Sequence, residues 1–203
     1  MMILYFRSKF RSRTKERKGE IGVGMYVKTT KDILVDSLRE LAAKKPISKI
    51  TVTSIAENCG LTTPTFYNHF TDKYNLIAWI YRTDLERIVR RSAERGRGWR
   101  ILCEEWLSYM AQNRDFLVNA IRHTRGQDAF AVLISTSLFE LISAELKQGG
   151  CELSAEFIDI ARVYCYGSTS FVCKWLFDNM PAPRDKVCEL LMLALPEPLK
   201  PFL

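Results

Sequence analysis

The sequence predicts an all-α fold in two parts: a small three-helix domain carrying a helix-turn-helix near the N-terminus, and a larger helical domain after it. Apolar residues recur at helical spacing over most of the chain beyond residue 29, and no stretch alternates convincingly with period two. The segment ITVTSIAENCGLTTPTFYNHFTDKYNL, residues 50–76, reads as two short helices around a glycine turn, with a third helix starting at once. The strongest breakers, Pro46, Gly60, Gly96, Gly98, Gly149-Gly150, Pro181 and Pro183, fall at the joints between periodic segments.

Residues 1–28 read as a tail: MMILYF, then the basic run RSKFRSRTKERKGE, then the glycine-bearing link IGVG. Two readings stand. The tail is a basic arm that adds phosphate contacts or reaches a minor groove, or Met25 is the true start, which is the preferred reading. Both expect little order. The first helix begins at Thr29 or Thr30, carries Leu34, Leu38, Leu41 and Ala42 as its apolar stripe, and stops at Lys44-Lys45-Pro46. Thr51 is a good N-cap for the next helix, because its hydroxyl can accept from the free amides of the first turn. Ile55 and Ala56 face inward, and Cys59 closes the helix before Gly60, whose missing Cβ permits a left-handed turn. Leu61 returns to the core. Thr62 caps the following helix, and Pro64 falls in its first turn, where a lost N–H costs nothing. A helix over about 72–95 carries Leu76, Ile77, Ile80, Leu85 and Ile88 inward. Beyond it, helices are expected near 99–112, 114–122, 126–148, 154–179 and 184–195, and Pro196, Pro198 and Pro201 end the regular structure.

Two short helices around a tight turn form the arrangement whose second helix enters the DNA major groove. Phe66 and Phe70, four apart, share the buried face of that helix. The opposite face is Thr63, Thr65, Tyr67, Asn68 and His69, polar and free of carboxylates that would repel phosphates. Lys73, in the first turn of the next helix, opposes that helix's dipole. It is placed to meet a phosphate alongside the free amides there. Singly, Tyr67, His69 and the threonines Thr62, Thr63 and Thr65 read as packing, surface and capping residues. Together, at this spacing, they read as a face for nucleic acid.

This segment resembles the DNA-binding domain of the TetR/AcrR family of bacterial regulators. The resemblance rests on Ile50-Thr51-Val52, Ile55-Ala56, Cys59-Gly60-Leu61, Thr65-Phe66-Tyr67, His69-Phe70, Lys73 and Leu76, and covers about residues 29–80. It implies phosphate contacts from Thr51, Tyr67, His69 and Lys73, with Thr62 capping beside them. It also implies an approach to base edges by Thr63, Pro64, Thr65 and Asn68. Many relatives carry arginine, the usual guanine reader, where Thr63 or Asn68 stands. Direct readout here is therefore expected to be weaker and to lean on Asn68 or on methyl contacts.

The net charge of +7 is unevenly spread. Residues 1–100 hold 21 Lys/Arg against 10 Asp/Glu, a net of +11, and residues 101–203 hold 9 against 13, a net of −4. A basic half joined to a mildly acidic one fits a nucleic-acid reader fused to something else. Six cysteines form no CxxC pair, and the two histidines add no ligand cluster. Buried free thiols in a reducing cytoplasm are therefore expected, with no metal and no cofactor. No apolar run approaches the ~18 residues that would span a bilayer, and the start is apolar before it is basic, the reverse of a signal peptide. With His69 and His123 the only histidines, there is no triad, metal centre or phosphate-cradling glycine loop, so no enzyme is expected.

One short helix reads too few base edges to select a genomic site, so a homodimer on a double-stranded operator is expected. The last two helices are the expected interface: Tyr164, Gly167, Ser168, Phe171, Val172, Trp175 and Leu176 recur at helical spacing, as do Val187, Leu190, Leu191 and Leu195. The alternative is that this stripe is only intramolecular core. The aromatics Trp99, Trp106, Tyr109, Phe116, Phe130, Phe139, Phe157 and Tyr166 form core, or line an effector cavity of the kind the resemblance implies, with Arg122, His123 and Arg125 as polar anchors. The C-terminal half also resembles the branch containing the dihydroxyacetone-kinase operon regulator, through Asn113-Arg114-Asp115-Phe116, Tyr166-Gly167, Trp175-Leu176 and Leu195-Pro196. Members of that branch can respond through a protein co-regulator instead of a small molecule bound inside, which counts against a ligand pocket, and can activate as well as repress. The expected function is a sequence-specific, homodimeric transcriptional regulator whose effector or co-regulator acts through residues 81–203. The alternative is a low-specificity nucleoid-associated DNA binder with the same fold.

Overall fold

Thr29 starts the first helix, α1 (Thr30–Lys44), with a capping box. Its hydroxyl accepts from the Asp32 amide at 3.3 Å, and the Asp32 carboxylate accepts from the Thr29 amide at 2.9 Å. Hydrogen bonds from Thr29 hold the Asp32 carboxyl below its ordinary range. The computed structural model describes residues 28–96, 98–124 and 129–203. The tail expected over residues 1–28 therefore lies outside the described residues except for Lys28, which pairs with Asp36 at 2.6 Å. Leu34, Leu38 and Ala42 bury the inward stripe of α1. Lys45 leaves the helix extended, and one 3₁₀ turn, Ile47–Lys49, follows. That turn was not legible in the sequence.

The next helices are α2 (Val52–Asn58), α3 (Thr63–Tyr67) and α4 (Lys73–Arg95). α4 runs unbroken through residue 80, where the sequence suggested a domain boundary. Its first turns bury Leu76, Ile77 and Ile80 under α1–α3, and Tyr81, Leu85 and Ile88 continue the buried stripe. Tyr81 meets the rings of Tyr109 and Phe130 at 6.1 and 5.4 Å, and its hydroxyl accepts from Trp106 Nε1 at 3.2 Å. One apolar core therefore runs from Leu34 to Leu199 with α4 as its shared spine.

The remaining helices are α5 (Trp99–Gln112), α6 (Arg114–His123), α7 (Phe130–Gln148), α8 (Ala155–Phe177) and α9 (Arg184–Leu193). α7 packs along α8, and α5 lies against α4 and α9. Trp99 Nε1 donates to the Tyr164 hydroxyl at 3.2 Å, which donates to the Leu191 carbonyl at 3.1 Å, tying α5, α8 and α9 together. There is no strand among the described residues, and none of their helices is long and apolar enough to cross a membrane.

Four expected boundaries move, among them the end of α9, which stops at Leu193 and not 195. α7 starts at Phe130, not near 126, because Ala129 is extended. The expected start, 126–128, lies outside the described residues. Thr124 makes this joint: its hydroxyl accepts from the Phe130 amide at 2.7 Å and donates to the Ala120 carbonyl at 2.8 Å. α8 ends at Phe177, not 179, because Asn179 turns left-handed at φ 62°. The prolines after α9 do not end regular structure: Glu197–Phe202 is a 3₁₀ helix. Proline's fixed φ suits the first turn of a helix, where no N–H is needed. Leu199 is buried there, and Phe202 packs on Phe157 at 6.2 Å. A Cβ on Gly149 would overlap the Phe202 carbonyl, so Gly149 permits a close approach as well as ending α7.

Candidate nucleic-acid interface

Local capping builds the helix-turn-helix. The Thr51 hydroxyl accepts from the Ser54 amide at 3.0 Å, and the Ser54 hydroxyl accepts from the Thr51 amide at 3.1 Å, closing a capping box on α2. At its other end, the Gly60 amide donates to the Glu57 carbonyl and the Leu61 amide to the Ala56 carbonyl, at 3.1 and 2.9 Å. This paired closure needs a left-handed residue, and Gly60 supplies φ +70°. The Thr62 hydroxyl then accepts from the Thr65 amide at 3.3 Å and lies 2.8 Å from the Thr65 hydroxyl, starting α3 with Pro64 in its first turn.

Burial then fixes which face α3 presents. Phe66 and Phe70 are both buried, with ring centroids 5.8 Å apart, and Phe70 meets Trp79 of α4 edge-on at 5.8 Å. Lys31 of α1 lies over both the Phe70 and Trp79 rings, at 5.6 and 5.5 Å. On this aromatic ledge Thr62, Pro64, Tyr67 and Asn68 are exposed, while Thr63, Thr65 and His69 are half-buried. Tyr67 leaves 56% of its surface exposed, unusual for a ring that could have packed inward. Thr51 is exposed at the start of α2. From Thr62 to Phe70 no residue is acidic. The surface offers hydroxyls, an amide, an imidazole and a phenol to whatever meets it.

Lys73 differs from expectation. Its ammonium donates to the carbonyls of Ile47, Ser48 and Ile50 at 2.9, 3.2 and 2.7 Å, which uses all three N–H groups. Burial lowers its pKa from the ordinary lysine value. The start of α4 is also already capped, by the Asp72 carboxylate accepting from the Asn75 amide at 2.8 Å. Lys73 thus braces the 3₁₀ turn, and a phosphate contact by its ammonium would compete with these three carbonyls. The turn it braces carries Lys49, which is exposed two residues before Thr51. Sequence reading passed over Lys49 because nothing local marks a 3₁₀ turn there.

Residues 34–79 match the family described as bacterial regulatory proteins, tetR family. That stretch is similar to the DNA-binding segment of the family. The match brackets α2, the Gly60 turn and α3, and it ends on the half of α4 that carries their core. A curated relative, the HTH-type dhaKLM operon transcriptional activator DhaS of Lactococcus lactis subsp. lactis (strain IL1403), is 24% identical over 87 residues, 43% of this chain and 46% of that protein. The aligned stretch thus spans about half of that relative's length. Among solved structures, the dihydroxyacetone kinase operon activator DhaS superposes with a TM-score of 0.60 at 17% identity, over 81% of this chain and 95% of that one. The fatty acid degradation regulator FadR from Bacillus halodurans gives 0.58 at 17% identity, over 85% and 98%. FadR from Thermus thermophilus, a TetR-family repressor solved with lauroyl-CoA, gives 0.56 at 16%, over 81% and 92%. The N-terminal helices and the helical body behind them therefore share one architecture with these proteins.

The face expected to pair two copies needs correcting. Tyr164, Ser168, Trp175, Val187 and Leu191 are buried within the single chain. Tyr164 spends its hydroxyl on Trp99 and Leu191, and Trp175 donates its Nε1 to the Ala182 carbonyl at 3.0 Å. Val172, Leu176 and Leu195 are buried as well. Only Gly167 and Phe171 (43% exposed), with Leu190, lie outward. The outward stripe instead runs through Val163 (74% exposed), Tyr166, Gly167, Ser170 and Phe171 on α8, and Leu190 and Leu193 (75%) on α9. Helix α8 is apolar on two faces, and the sequence pattern pointed to the inner one.

The aromatics behave mostly as core: Trp99, Trp106, Tyr109 and Phe130 are buried. Tyr166 instead edges an open apolar groove of about 600 Å³ between α7 and α8, shared with Val132, Thr169, Cys173 and Phe177. Of the proposed polar anchors, Arg122 lies over the Phe177 ring at 5.2 Å, His123 is half-buried, and Arg125 is outside the described residues. All six cysteines are free; five are buried and Cys59 is half-buried. Burial pushes the Cys173 thiol up to about 11 and that of Cys165 up to about 12.

Proposed function

We propose that the protein is a homodimeric, sequence-specific DNA-binding transcriptional regulator, not an enzyme. One observation carries this reading: a carboxylate-free face on α3, held out by buried Phe66 and Phe70 and bearing an exposed Tyr67. Pro64, Thr63, Thr65 and Asn68 approach base edges, while Thr51, Tyr67, His69 and Lys49 meet phosphates on either side. Two copies paired through the outward stripe of α8 and α9 would set their α3 helices about one DNA turn apart, roughly 34–36 Å. An effector, small molecule or protein co-regulator, then shifts the population between separations, only one of which matches successive major grooves. The apolar groove beside Tyr166 and the neighbouring α8 face are the surfaces such an effector would use.

The test is fluorescence anisotropy on duplexes recovered by the protein from a random-sequence pool, over a range of salt. Tyr67→Ala is expected to weaken binding to all sequences alike and to leave the salt dependence unchanged, because a phenol releases no counterion. Lys49→Ala should reduce the slope of log affinity against log salt by about one. Affinity untouched by Tyr67→Ala would sink the assignment of the reading face. Uniform affinity of the unaltered protein for recovered and scrambled duplexes would favour an unspecific, nucleoid-associated role.

A further inference from the structure

We propose that Asn119 is the positioning residue through which the C-terminal half fixes the placement of the helix-turn-helix, with the turn at residues 45–50 as its handle. The proposal rests on the DNA-binding reading above. Asn119 lies on α6, yet its carboxamide bonds only to backbone in the N-terminal part. Its Oδ1 accepts from the Ile47 amide at 2.9 Å, and its Nδ2 donates to the carbonyls of Ala42 and Lys45 at 2.8 and 3.0 Å. The carbonyls are orphans left where α1 ends, and the amide is an orphan where the 3₁₀ turn begins. A single side chain from the other half of the molecule therefore caps both.

The same turn is held from its far side by Lys73, whose ammonium takes the carbonyls of Ile47, Ser48 and Ile50. Ile50 immediately precedes Thr51, the cap of α2. Gripped at both ends, the turn has little freedom to absorb a shift of α6, so it passes that shift to α1 and to the start of the helix-turn-helix.

α6 is itself fastened at two points to the C-terminal end of α8. Arg114 Nε donates to the Leu176 carbonyl at 2.9 Å, and the Arg122 guanidinium lies 5.2 Å from the centre of the Phe177 ring. A second tie runs parallel: Arg39 of α1 donates to Asn113 Oδ1 at 2.9 Å and to Asp84 at 2.7 Å while lying over Phe116 at 5.1 Å. The helix with the outward apolar stripe is thus joined to the reading head through α6, and Asn119 is the contact at the receiving end. Movement of α8 against a second copy would arrive at α3 as a change of placement.

The experiment compares the full-length protein with Asn119→Asp. The aspartate keeps the shape and the acceptor for the Ile47 amide, but sets a carboxylate oxygen against two carbonyls. Affinity is measured for duplexes recovered from a random pool by the unaltered protein, and for the same duplexes with base pairs added between the half-sites, at a temperature where circular dichroism reports both proteins folded. Affinity for the recovered duplex is expected to fall about tenfold, within the range usual for coupling between sites, while affinity for the lengthened duplex stays nearly constant. Equal loss on both duplexes, or no loss on either, would overturn the proposal, since a purely structural cap would not change the preferred spacing. Should Asn119→Asp fail to fold, Arg114→Met carries the same test. It releases α6 from α8, a contact the reading head does not share, and an intact spacing preference there would equally overturn the proposal. Tyr67→Ala separates the two readings: it should weaken both duplexes alike, and if it changes neither, the DNA-binding assignment is what has failed.

Discussion

Lys73, a residue of a recognisable motif, serves the fold in this structure. Its three N–H groups are committed to Ile47, Ser48 and Ile50, so Lys73→Met removes three charge-assisted bonds and leaves three carbonyls to water. Hydrogen bonds to charged groups contribute about 1.5–3 kcal/mol, so a loss of about 2 kcal/mol is expected, read as a lower urea midpoint with unchanged slope. The salt dependence of DNA binding should not change. A salt slope lowered by about one with stability intact would instead return Lys73 to the phosphate contacts. The residues of this site divide by the distance to their partners. Thr51, Gly60 and Thr62 were legible because each cap closes within three to five positions. Lys73 and Asn119 were not, because their partners lie 23 to 26 and 72 to 77 positions away. No periodicity encodes such a pairing.

At the scale of the element, the turn between α2 and α3 is fixed by one backbone conformation. Gly60 stands at φ +70° with open space where a Cβ would be, so Gly60→Ala meets no neighbour and its whole cost is that of a left-handed L-residue, roughly 1–2 kcal/mol. Gly60→Asn should cost less, because asparagine tolerates this region, and Gly60→Val more. Equal urea midpoints for Ala, Asn and Val variants would show that the turn is not held at this angle. Helix α8 misled the sequence reading for a different reason. Its inner face, through Tyr164, Ser168 and Trp175, and its outer face, through Val163, Gly167 and Phe171, are displaced by a single position. Both fit a 3.6-residue period, and only the packing of neighbouring helices decides which is already covered. The final 3₁₀ helix was hidden by its prolines, which the sequence rules count as terminators although their fixed φ also suits this turn.

Across the whole molecule, the N-terminal hundred residues carry +11 and the remainder −4. That polarity turns the basic end toward a polyanion during approach and keeps the opposite end from competing for it. It does not by itself set two reading heads at a fixed distance, which is the work proposed for the outward stripe. Val163 and Leu193 are the most exposed large apolar side chains on α8 and α9, at 74% and 75%. Val163 lies one and two turns from Gly167 and Ser170 on the same face of α8, and their small size admits a close helix crossing. A stable interface needs about 1,000 Å² or more of buried surface, and a carboxylate placed in its centre would be desolvated without a partner. Val163→Asp combined with Leu193→Asp is therefore expected to leave the helical content of the single chain nearly unchanged, since within one copy both side chains stand outside the core. In sedimentation velocity the double variant should run as a single subunit at concentrations where the unaltered protein runs as a pair. Its DNA affinity should fall by more than either copy's own contacts explain, because linking two readers raises their joint affinity by a factor set by effective concentration. Tyr164→Phe provides the contrast: it breaks the Trp99–Tyr164–Leu191 chain inside one copy and should lower the thermal midpoint while leaving the pair intact. If the double aspartate variant sedimented as the unaltered protein does, the pairing face would have to be sought elsewhere, and the distance between recognition helices would lose its physical basis.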